Sequence, residues 1–166
     1  MEKIVRNGLN MEIRKARKDD LNGIEKLLVQ VNNLHVELRP DIFVANAVKY
    51  DEEKFDALIS SDKTSVFVAV DDEGKVIGHL FCSIRDYKQV AVYKDFKTLF
   101  IDDLCVAESA HRQGIGKSLF DFALKYARQN GCYDITLNVW SGNDSALAFY
   151  GKMGMFPKET QMEYIL

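Results

Sequence analysis

The sequence lacks the features that would direct a chain into a membrane, through a secretory pathway or onto a nucleic acid. No apolar run approaches the length of a membrane span, and Met1–Asn10 contains no apolar stretch of signal-peptide length. The net charge is −3, so the chain has no basic excess for binding a phosphate backbone. These absences predict a protein with no membrane partner and no nucleic-acid partner.

Cysteine and histidine are scarce, with three of each, and they are widely separated. An odd number of separated cysteines is typical of reduced thiols in the cytoplasm, where we therefore expect the protein. The histidines do not join the cysteines at the spacing of metal ligands, which predicts no structural or catalytic metal. The cysteines are Cys82, Cys105 and Cys132, and the histidines are His35, His79 and His111.

The composition is that of one ordinary domain of 166 residues, because 47% hydrophobic residues suffice for a core and 28% charged residues suffice for the surface. The alternation of apolar and polar residues starts at Met11. We therefore interpret residues 1–10 as an N-terminal extension and residues 11–166 as the domain. Since chain ends are often loosely ordered, we expect removal of residues 1–10 to leave stability and turnover nearly unchanged.

Hydrophobic periodicity predicts alternating strands and helices around one sheet. The order predicts a mixed α/β (α+β) domain, with a central twisted sheet of six to seven strands flanked by about four helices. The predicted strands are Met11–Arg17, Val66–Val70, Val76–Ile84, Leu99–Val106, Ile135–Trp140 and Gln161–Ile165. The predicted helices begin at Asp19–Asp20, cover Glu52–Ile59, run from Ile115 to about Asn130, and run from about Asn143 to Met153.

The segment Leu104–Leu119 is the most informative part of the sequence. It reads as a strand, a loop that contains Gly114 and Gly116, and then a helix. Free amides at a helix N-terminus bind anions, and glycine lets a phosphate approach the backbone. Arg112 and Lys117 add positive charge. On the glycines alone, a tight turn without any ligand is an equally good interpretation.

Two familiar phosphate-binding loops do not fit this segment. A Walker loop ends in Gly-Lys-Ser, as Gly116-Lys117-Ser118 does, but it needs a glycine where His111 stands. A dinucleotide-binding loop needs a third glycine where Leu119 stands.

Instead, the six residues His111-Arg112-Gln113-Gly114-Ile115-Gly116 resemble the Gln/Arg-x-x-Gly-x-Gly/Ala signature of the GNAT superfamily of N-acetyltransferases. His111 departs from its first position. The downstream block Asn143-Asp144-Ser145-Ala146 through Phe149-Tyr150 and Gly154-Met155 is similar to a second motif of the family, with Met155 in place of phenylalanine. The predicted order of elements agrees with the family's from Met11 to the end of the chain.

The resemblance implies that acetyl-coenzyme A is the cosubstrate, with no metal. It implies that backbone amides of the glycine loop hold the pyrophosphate. It also implies that the preceding strand offers backbone groups to the pantetheine arm, and that a residue of the last helix holds this arm from the other side. The implied cofactor-binding residues are Leu104, Cys105, Val106, Arg112, Gln113, Gly114, Ile115, Gly116, Lys117, Ser118, Asn143 and Tyr150.

The chemistry of acetyl transfer to an amine needs a base and an acid. The resemblance implies that Tyr150 is the acid that reprotonates the leaving thiolate; from the helical pattern alone it would be a core tyrosine. The segment containing Asp102 and Asp103 is similar to the Leu-Glu-Asp-x-x-Val stretch of spermidine/spermine acetyltransferases, where the Glu position, matched by Asp102, handles the amine proton. Because adjacent strand residues face opposite ways, one of the two aspartates could be merely solvated.

The sequence thus predicts an acetyl-CoA-dependent N-acetyltransferase acting on a primary amine of a small molecule, polyamine-like in one interpretation, or of a peptide. The alternative is a non-catalytic acyl-CoA-binding module or sensor on the same fold; a nucleotide-phosphate hydrolase is disfavoured by His111. Glu37 and Asp41 are weaker candidates for the wall of the acceptor site. The acceptor, the range of acyl groups and the oligomeric state stay open, a homodimer among the alternatives.

Overall fold

One sheet of six strands runs through the protein in chain order, from β1 to β6. The computed structural model describes residues 2–6, 9–88 and 90–166. Neighbouring strands are antiparallel, except that β6 is parallel to β5. The strands are β1 Glu2–Arg6, β2 Leu9–Lys15, β3 Thr64–Asp71, β4 Val76–Asp86, β5 Lys97–Val106 and β6 Asp134–Leu137.

Four α-helices cover the described sheet. They are α1 Leu21–Leu38, α2 Glu52–Ile59, α3 Ile115–Gln129 and α4 Asp144–Lys152. This architecture confirms the predicted mixed α/β domain with one central mixed sheet.

Alternating side chains of the central strands supply two cores. On one face, the fully buried Leu80 and Leu99 pack with Leu119 of α3. On the other face, Val68 packs with Ile24 of α1 and Phe55 of α2. Full burial of such a side chain stabilises the fold by about 1.5–3 kcal/mol, so both faces of the sheet must be covered.

The first helix starts differently from the sequence prediction. Asp20 stands just before α1 but does not cap it; its carboxylate instead accepts hydrogen bonds from the Arg14 guanidinium at 2.7 and 2.9 Å and from the Arg17 N–H at 2.7 Å. Burial alone would raise the pKa of Asp20, but these bonds outweigh it and hold the pKa below its ordinary value. Asp20 therefore ties the end of β2 to the start of α1.

The two ends of the chain differ from the prediction. The sheet begins before Met11, because Glu2–Arg6 forms β1 and pairs with β2, which itself begins at Leu9; Met1, Asn7 and Gly8 lie outside the described residues. The strand predicted over Gln161–Ile165 is wrong for the described structure, in which residues 155–166 have no strand. They make no backbone ladder and are held by side-chain ion pairs, Lys158 to Asp134 and Glu163 to Arg39.

The sheet opens between its last two strands. β6 pairs with β5 only from Thr98 to Ile101, whereas β5 continues to Val106. Beyond Ile101 the β6-facing edge of β5 therefore has no neighbouring strand in the described structure. This opening lies between α3 and α4, the two helices that carry the family-like motifs.

Candidate active site

A β-bulge in β5 brings both candidate carboxylates to one face of the sheet. Phe81 pairs with Asp103 and the next residue, Cys82, pairs with Ile101, so Asp102 is the extra residue of the bulge. Asp102 contacts Ser83 and Asp103 contacts His79, two β4 residues that are four apart and so share a face. The strict alternation assumed from sequence does not hold here.

Asp102 lies at the exposed end of this pair. Its Oδ2 accepts a hydrogen bond from Ser83 Oγ at 3.2 Å. Partial desolvation raises the pKa of Asp102, the Ser83 bond and the positive Arg85 and Lys49 oppose the rise, and Asp103 adds to it. A carboxylate whose pKa is raised is a stronger base than an ordinary surface aspartate.

Asp103 lies deeper, with 15% of its side chain exposed, and its Oδ1 is 3.3 Å from Nε2 of the fully buried His79. Two further titratable groups sense its charge. Burial lowers the pKa of His35 while Asp103 opposes the change, and burial raises the pKa of Tyr150 while Asp103 reinforces it. Asp103 is thus the shared neighbour of groups from α1, β4 and α4.

Tyr150 projects from α4 into the core beneath the opening. Its ring packs against Phe120 of α3, with centroids 6.2 Å apart, and against Phe149, with centroids 5.1 Å apart. Burial is the main reason that the pKa of Tyr150 is raised, so the phenol keeps its proton at neutral pH. The packing expected of a core tyrosine and the protonation expected of an acid coexist in this one residue.

The glycine loop has the backbone conformation of an anion-binding turn. Arg112 and Gly114 both adopt positive φ, 62° and 85°, and Gly114 is the residue before α3. Alternating left-handed residues turn successive N–H groups to one side, and the first turn of a helix leaves its N–H groups without intrahelical partners. A left-handed arginine is strained, and such strain collects at functional sites.

Several side chains of this loop and of the start of α3 make contacts within the protein. Ile115 is buried in the core, and Ser118 Oγ binds the Gly114 carbonyl at 3.2 Å. Lys117 pairs with Asp121 at 2.8 Å, and Gln113 Nε2 donates to the Ser109 carbonyl. Backbone amides and the exposed Arg112 are therefore the groups that this loop can offer to a pyrophosphate.

The end of β5 is held from the α1 side. The Val106 carbonyl accepts a hydrogen bond from Gln30 Nε2 at 3.0 Å and lies 2.9 Å from His111 Nε2. Cys105 is buried and its thiol approaches the Leu27 carbonyl, and burial raises its pKa to about 12. His111, which departs from the family signature, thus fastens the glycine loop to the strand that precedes it.

Asn143 is the N-cap of α4, because its Oδ1 accepts from the Ala146 N–H at 3.1 Å and from Ser145 Oγ at 3.1 Å. The capping bonds leave its amide nitrogen to reach a ligand. The backbone N–H of Asn143 binds the Trp140 carbonyl at 3.0 Å, which joins this cap to the segment that follows β6.

Three rings line the side of the opening toward the end of α1. His35 lies 5.0 Å from Phe43, and Trp140 lies 5.3 Å from Phe43, measured between centroids. The Arg39 guanidinium lies 5.8 Å from the Trp140 ring and is bound by Asp41 and Glu163. Of the two acidic residues predicted for this wall, Asp41 is thus engaged by Arg39.

Sequence reasoning missed His35, His79, Ser83 and Trp140. His79 and Ser83 lie on the predicted strand Val76–Ile84, and pairing that strand with the next would have placed them beside Asp103 and Asp102. His35 and Trp140 come together only through the packing of α1 against the segment after β6, for which no spacing rule exists.

The described residues fit an acyl-coenzyme A better than a metal. The open edge of β5, the left-handed loop and the start of α3 follow one another along the chain, as a pantetheine arm followed by a pyrophosphate requires. Among residues 2–6, 9–88 and 90–166, no group of three His, Cys, Asp or Glu side chains could hold a metal ion. No helix in the same ranges is long and apolar enough to cross a membrane.

Comparison with known proteins agrees with this geometry. A family model described as the acetyltransferase (GNAT) family matches residues 13–155. An uncharacterized N-acetyltransferase of Archaeoglobus fulgidus is 31% identical over 146 residues, 87% of this chain and 92% of that protein. A crystal structure of a mutant of the BH1408 protein from Bacillus halodurans is 32% identical, with a TM-score of 0.88 over 93% of this chain and 99% of that one.

A plant relative is longer than this chain. GCN5-related N-acetyltransferase 6 of Arabidopsis thaliana, named as chloroplastic, is 30% identical over an alignment of 143 residues that covers 68% of this chain and 50% of that protein. The chain thus spans about half the length of that relative.

Proposed function

Because the chain belongs to the acetyltransferase (GNAT) family, we propose that it transfers an acetyl group from acetyl-coenzyme A to a primary amine. The observation that carries the proposal is the open edge of β5, which lies between a left-handed glycine loop and a pair of carboxylates. One end of this edge can hold the cosubstrate and the other can receive a cation.

Acetyl-coenzyme A supplies the acetyl group as an activated thioester. The first-turn amides of α3 bind its pyrophosphate, with Arg112 beside them. The β5 residues Leu104 to Val106 offer backbone groups to the pantetheine arm. Asn143 donates from the α4 side.

The carboxylates prepare the amine. An alkylamine is protonated at neutral pH, with a pKa near 10.4, and attacks only after losing that proton. Asp103, the deeper carboxylate, attracts the ammonium group. Asp102 accepts the proton, directly or through one water, and its raised pKa suits this task.

Tyr150 completes the transfer by donating its phenolic proton to the departing thiolate. A thiol has a pKa of about 8.5 and a tyrosine phenol a pKa of about 10, so the proton moves as the C–S bond breaks, and the phenolate regains a proton from water after the product leaves. Burial raises the pKa of Tyr150, so the phenol is protonated before each turnover.

We favour a cationic amine as the acceptor. The most specific version of this proposal is a polyamine-like molecule. Two carboxylates on one sheet face attract positive charge, and the neighbouring His35, Phe43 and Trp140 rings can pack against the carbon chain of an amine. A peptide N-terminus meets the same chemical description.

The second candidate is a non-catalytic acyl-CoA-binding module. It would use the same loop and strand edge but would not need a tyrosine packed beneath the opening and near Asp103. The position of Tyr150 on α4, packed against Phe120 and Phe149, favours the enzyme.

One assay separates the two candidates. The purified chain is incubated with acetyl-CoA and a panel of amines comprising a polyamine, an aminoglycoside, an amino acid and a peptide, and both thiol release and acetylated product are measured. Release and product with at least one amine support the enzyme. Calorimetric binding of acetyl-CoA without product for any amine supports the binding module.

We also propose a homodimer in the cytoplasm. The C-terminal segment, residues 155–166, exposes five large apolar side chains, and β6 is the outer strand of the sheet. An outer strand offers unpaired backbone groups, and two copies related by a two-fold axis can each supply such a segment to the other. The cytoplasm suits three cysteines that are all unpaired. The exposed residues are Phe156, Met162, Tyr164, Ile165 and Leu166.

A further inference from the structure

His79 is a fully buried histidine to which the reaction above gives no task. It lies in the middle of β4, with none of its surface exposed, and neither ring nitrogen has a hydrogen-bond partner in the described structure. Burying two unsatisfied nitrogens costs stability, so a side chain with only a packing role would be better replaced by an apolar one. We therefore expect the His79 side chain to make a polar interaction in the working protein.

One polar atom lies near its ring. Nε2 of His79 is 3.3 Å from Oδ1 of Asp103, which is long for an N–H···O hydrogen bond and does not have the alignment of a formed one. Catalytic hydrogen bonds are often long or poorly aligned in a free enzyme and tighten when the substrate is bound. The His79–Asp103 contact has this character.

The rest of the His79 surroundings is apolar or weakly polar. Its ring makes an edge contact with Phe81, with centroids 5.0 Å apart, and its cross-strand neighbours are Val68 on β3 and Cys105 on β5. Cys105 is a neutral thiol, because burial raises its pKa to about 12. The titratable groups that surround the His79–Asp103 pair are His35 of α1, Lys49 of the loop before α2, Asp102 and Cys105 of β5, and Tyr150 of α4.

We propose that His79 is a positioning residue for Asp103, an inference that rests on the proposed function of this carboxylate. When the substrate is bound, the imidazole Nε2–H donates a hydrogen bond to Oδ1, which fixes the orientation of the carboxylate. Oδ2 is then left for the substrate ammonium. The proton stays on His79 throughout, so no exit path through the core is needed.

This arrangement explains why a histidine stands at a fully buried position of β4. The arriving ammonium and the imidazole N–H share one carboxylate from two sides. Each interaction strengthens the other, because a hydrogen bond to a charged group is worth more than one to a neutral group and is strongest where water is excluded. The histidine therefore acts on the substrate only through Asp103.

The test uses two replacements of the same position in the full chain. His79→Phe keeps a ring against Phe81 and removes the donor, whereas His79→Gln places an amide N–H near the position of Nε2. With a cationic amine, we expect kcat/KM to fall roughly 10–100-fold in His79→Phe, the range for one hydrogen bond to a charged group, and to be restored to within a few-fold in His79→Gln.

The split between KM and kcat separates positioning from packing. In His79→Phe the loss with a cationic amine should fall mainly on KM, because Asp103 attracts the ammonium group whereas Asp102 accepts its proton. A weakly basic amine that is neutral at the assay pH should lose much less activity than the cationic amine. A matched control is Thr98→Val, which removes a buried hydroxyl that donates to Asp134 at 2.6 Å in another part of β5 and should lower stability without raising KM for the cationic amine.

A measurement without activity keeps the inference testable if His79→Phe fails to fold. In ¹⁵N-labelled protein, the His79 imidazole should carry a proton on Nε2, and Asp103→Asn should change its ring nitrogen shifts. An unchanged His79 spectrum in Asp103→Asn, or a wild-type KM for the cationic amine in His79→Phe, overturns the positioning role.

This outcome is distinct from failure of the proposed function. If the wild-type chain acetylates no amine, the enzyme proposal fails while the nuclear magnetic resonance result still reports on the pair. If the wild-type chain is active and His79→Phe keeps the wild-type KM for the cationic amine, only the present inference fails.

Discussion

At the scale of single residues, Tyr150 combines two requirements that usually compete. Its ring is packed between Phe120 and Phe149, and the same burial raises the pKa of the phenol so that it stays protonated. Replacement by phenylalanine keeps the packing and removes the proton, which makes the two roles separable.

Tyr150→Phe should lower turnover by about 10²–10⁴-fold, the range for one general acid, while leaving the Kd of acetyl-CoA nearly unchanged. Steady-state kinetics and calorimetry measure the two quantities. Phe149→Leu, in the neighbouring ring, is the control for a packing change alone. Wild-type turnover in Tyr150→Phe would show that Tyr150 is not the general acid and has only a structural role.

Asp102 gives a prediction about pH. Its pKa is raised by desolvation and held back by the Ser83 hydroxyl, so Ser83→Ala should raise it further. The base works only when ionised; activity is therefore present above that pKa and is lost as the pH falls through it. Ser83→Ala should move the low-pH limb of kcat/KM to higher pH.

Asp102→Asn should lower kcat/KM most where the amine is protonated, and higher pH should recover part of the loss. Asp103→Asn should act more on KM, because it weakens attraction of the ammonium, and high salt should do the same through screening. For the Ser83→Ala variant above, Ser60→Ala, just beyond α2, is the control, because it removes a hydroxyl in another part of the protein. An Asp102→Asn profile that overlays wild type at every pH would exclude its role as base.

At the scale of elements, the start of α3 joins a strained loop to a helix N-terminus. A Cβ on Gly116 would meet the Phe149 ring at 3.4 Å, an ordinary contact, so glycine is not required there by the protein's own packing. We propose that glycine stands here because a phosphate approaches the backbone closely.

Gly116→Val should therefore weaken acetyl-CoA binding roughly 10–100-fold, as expected if even one charge-assisted amide bond is lost, while the fold survives. Calorimetry gives the affinity, and thermal unfolding gives the stability. Gly151→Val is the matched control, because Gly151 lies in a helix with open space around it. Equal affinities for Gly116→Val and wild type would show that the pyrophosphate does not bind at this residue.

The strand β1 lies at the edge of the sheet opposite to the opening between β5 and β6. Its five residues pair with β2, and Ile4 packs against the core. The sequence alone predicts no effect of its removal on stability, whereas the pairing predicts a loss, because each cross-strand pair contributes about 0.2–1 kcal/mol.

Deletion of residues 1–8 removes β1 and leaves β2 whole. We expect the free energy of unfolding to fall by roughly 1–5 kcal/mol from the lost pairs, with turnover nearly unchanged. Urea unfolding and the amine assay measure these effects, and Val5→Thr, at an exposed position of β1, is the control. A large loss of turnover in a folded deletion variant would show that this edge contributes to the site.

At the scale of the whole molecule, the C-terminal segment, residues 155–166, exposes large apolar side chains to solvent and is held to the domain by two ion pairs. Glu163 reaches Arg39, which also contacts the Trp140 ring beside the opening. In the proposed dimer the segment is covered by the partner copy, and the acceptor side of the site becomes sensitive to assembly.

Light scattering on the full chain should therefore give the mass of a dimer at micromolar concentration. Deletion of residues 161–166 should give a monomer, because it removes most of the exposed apolar side chains of the segment. The β1 deletion is the control, since it alters the other edge of the sheet and should leave the dimer intact. A full chain that is monomeric throughout would contradict the proposal.

The sequence by itself determined most of the elements and the place of the glycine loop. Periodicity predicted α2 at Glu52–Ile59 and the strand at Leu99–Val106 to within two residues, because local burial patterns follow the periods of helix and strand. The glycine spacing and the Asn143–Tyr150 block also depend on local backbone requirements, which a linear motif records.

Only the tertiary structure decided which side chains meet. The bulge places one extra residue, Asp102, in β5 opposite β4. The alternation of side chains between the two faces of β5 is therefore interrupted, and Asp102 and Asp103 lie on the same face. The contact of His79 with Asp103 and the cluster of His35, Phe43 and Trp140 depend on pairing and packing between segments distant in the chain. The unpaired C-terminal segment follows the same rule, since an apolar alternation becomes a strand only where a partner edge accepts its hydrogen bonds.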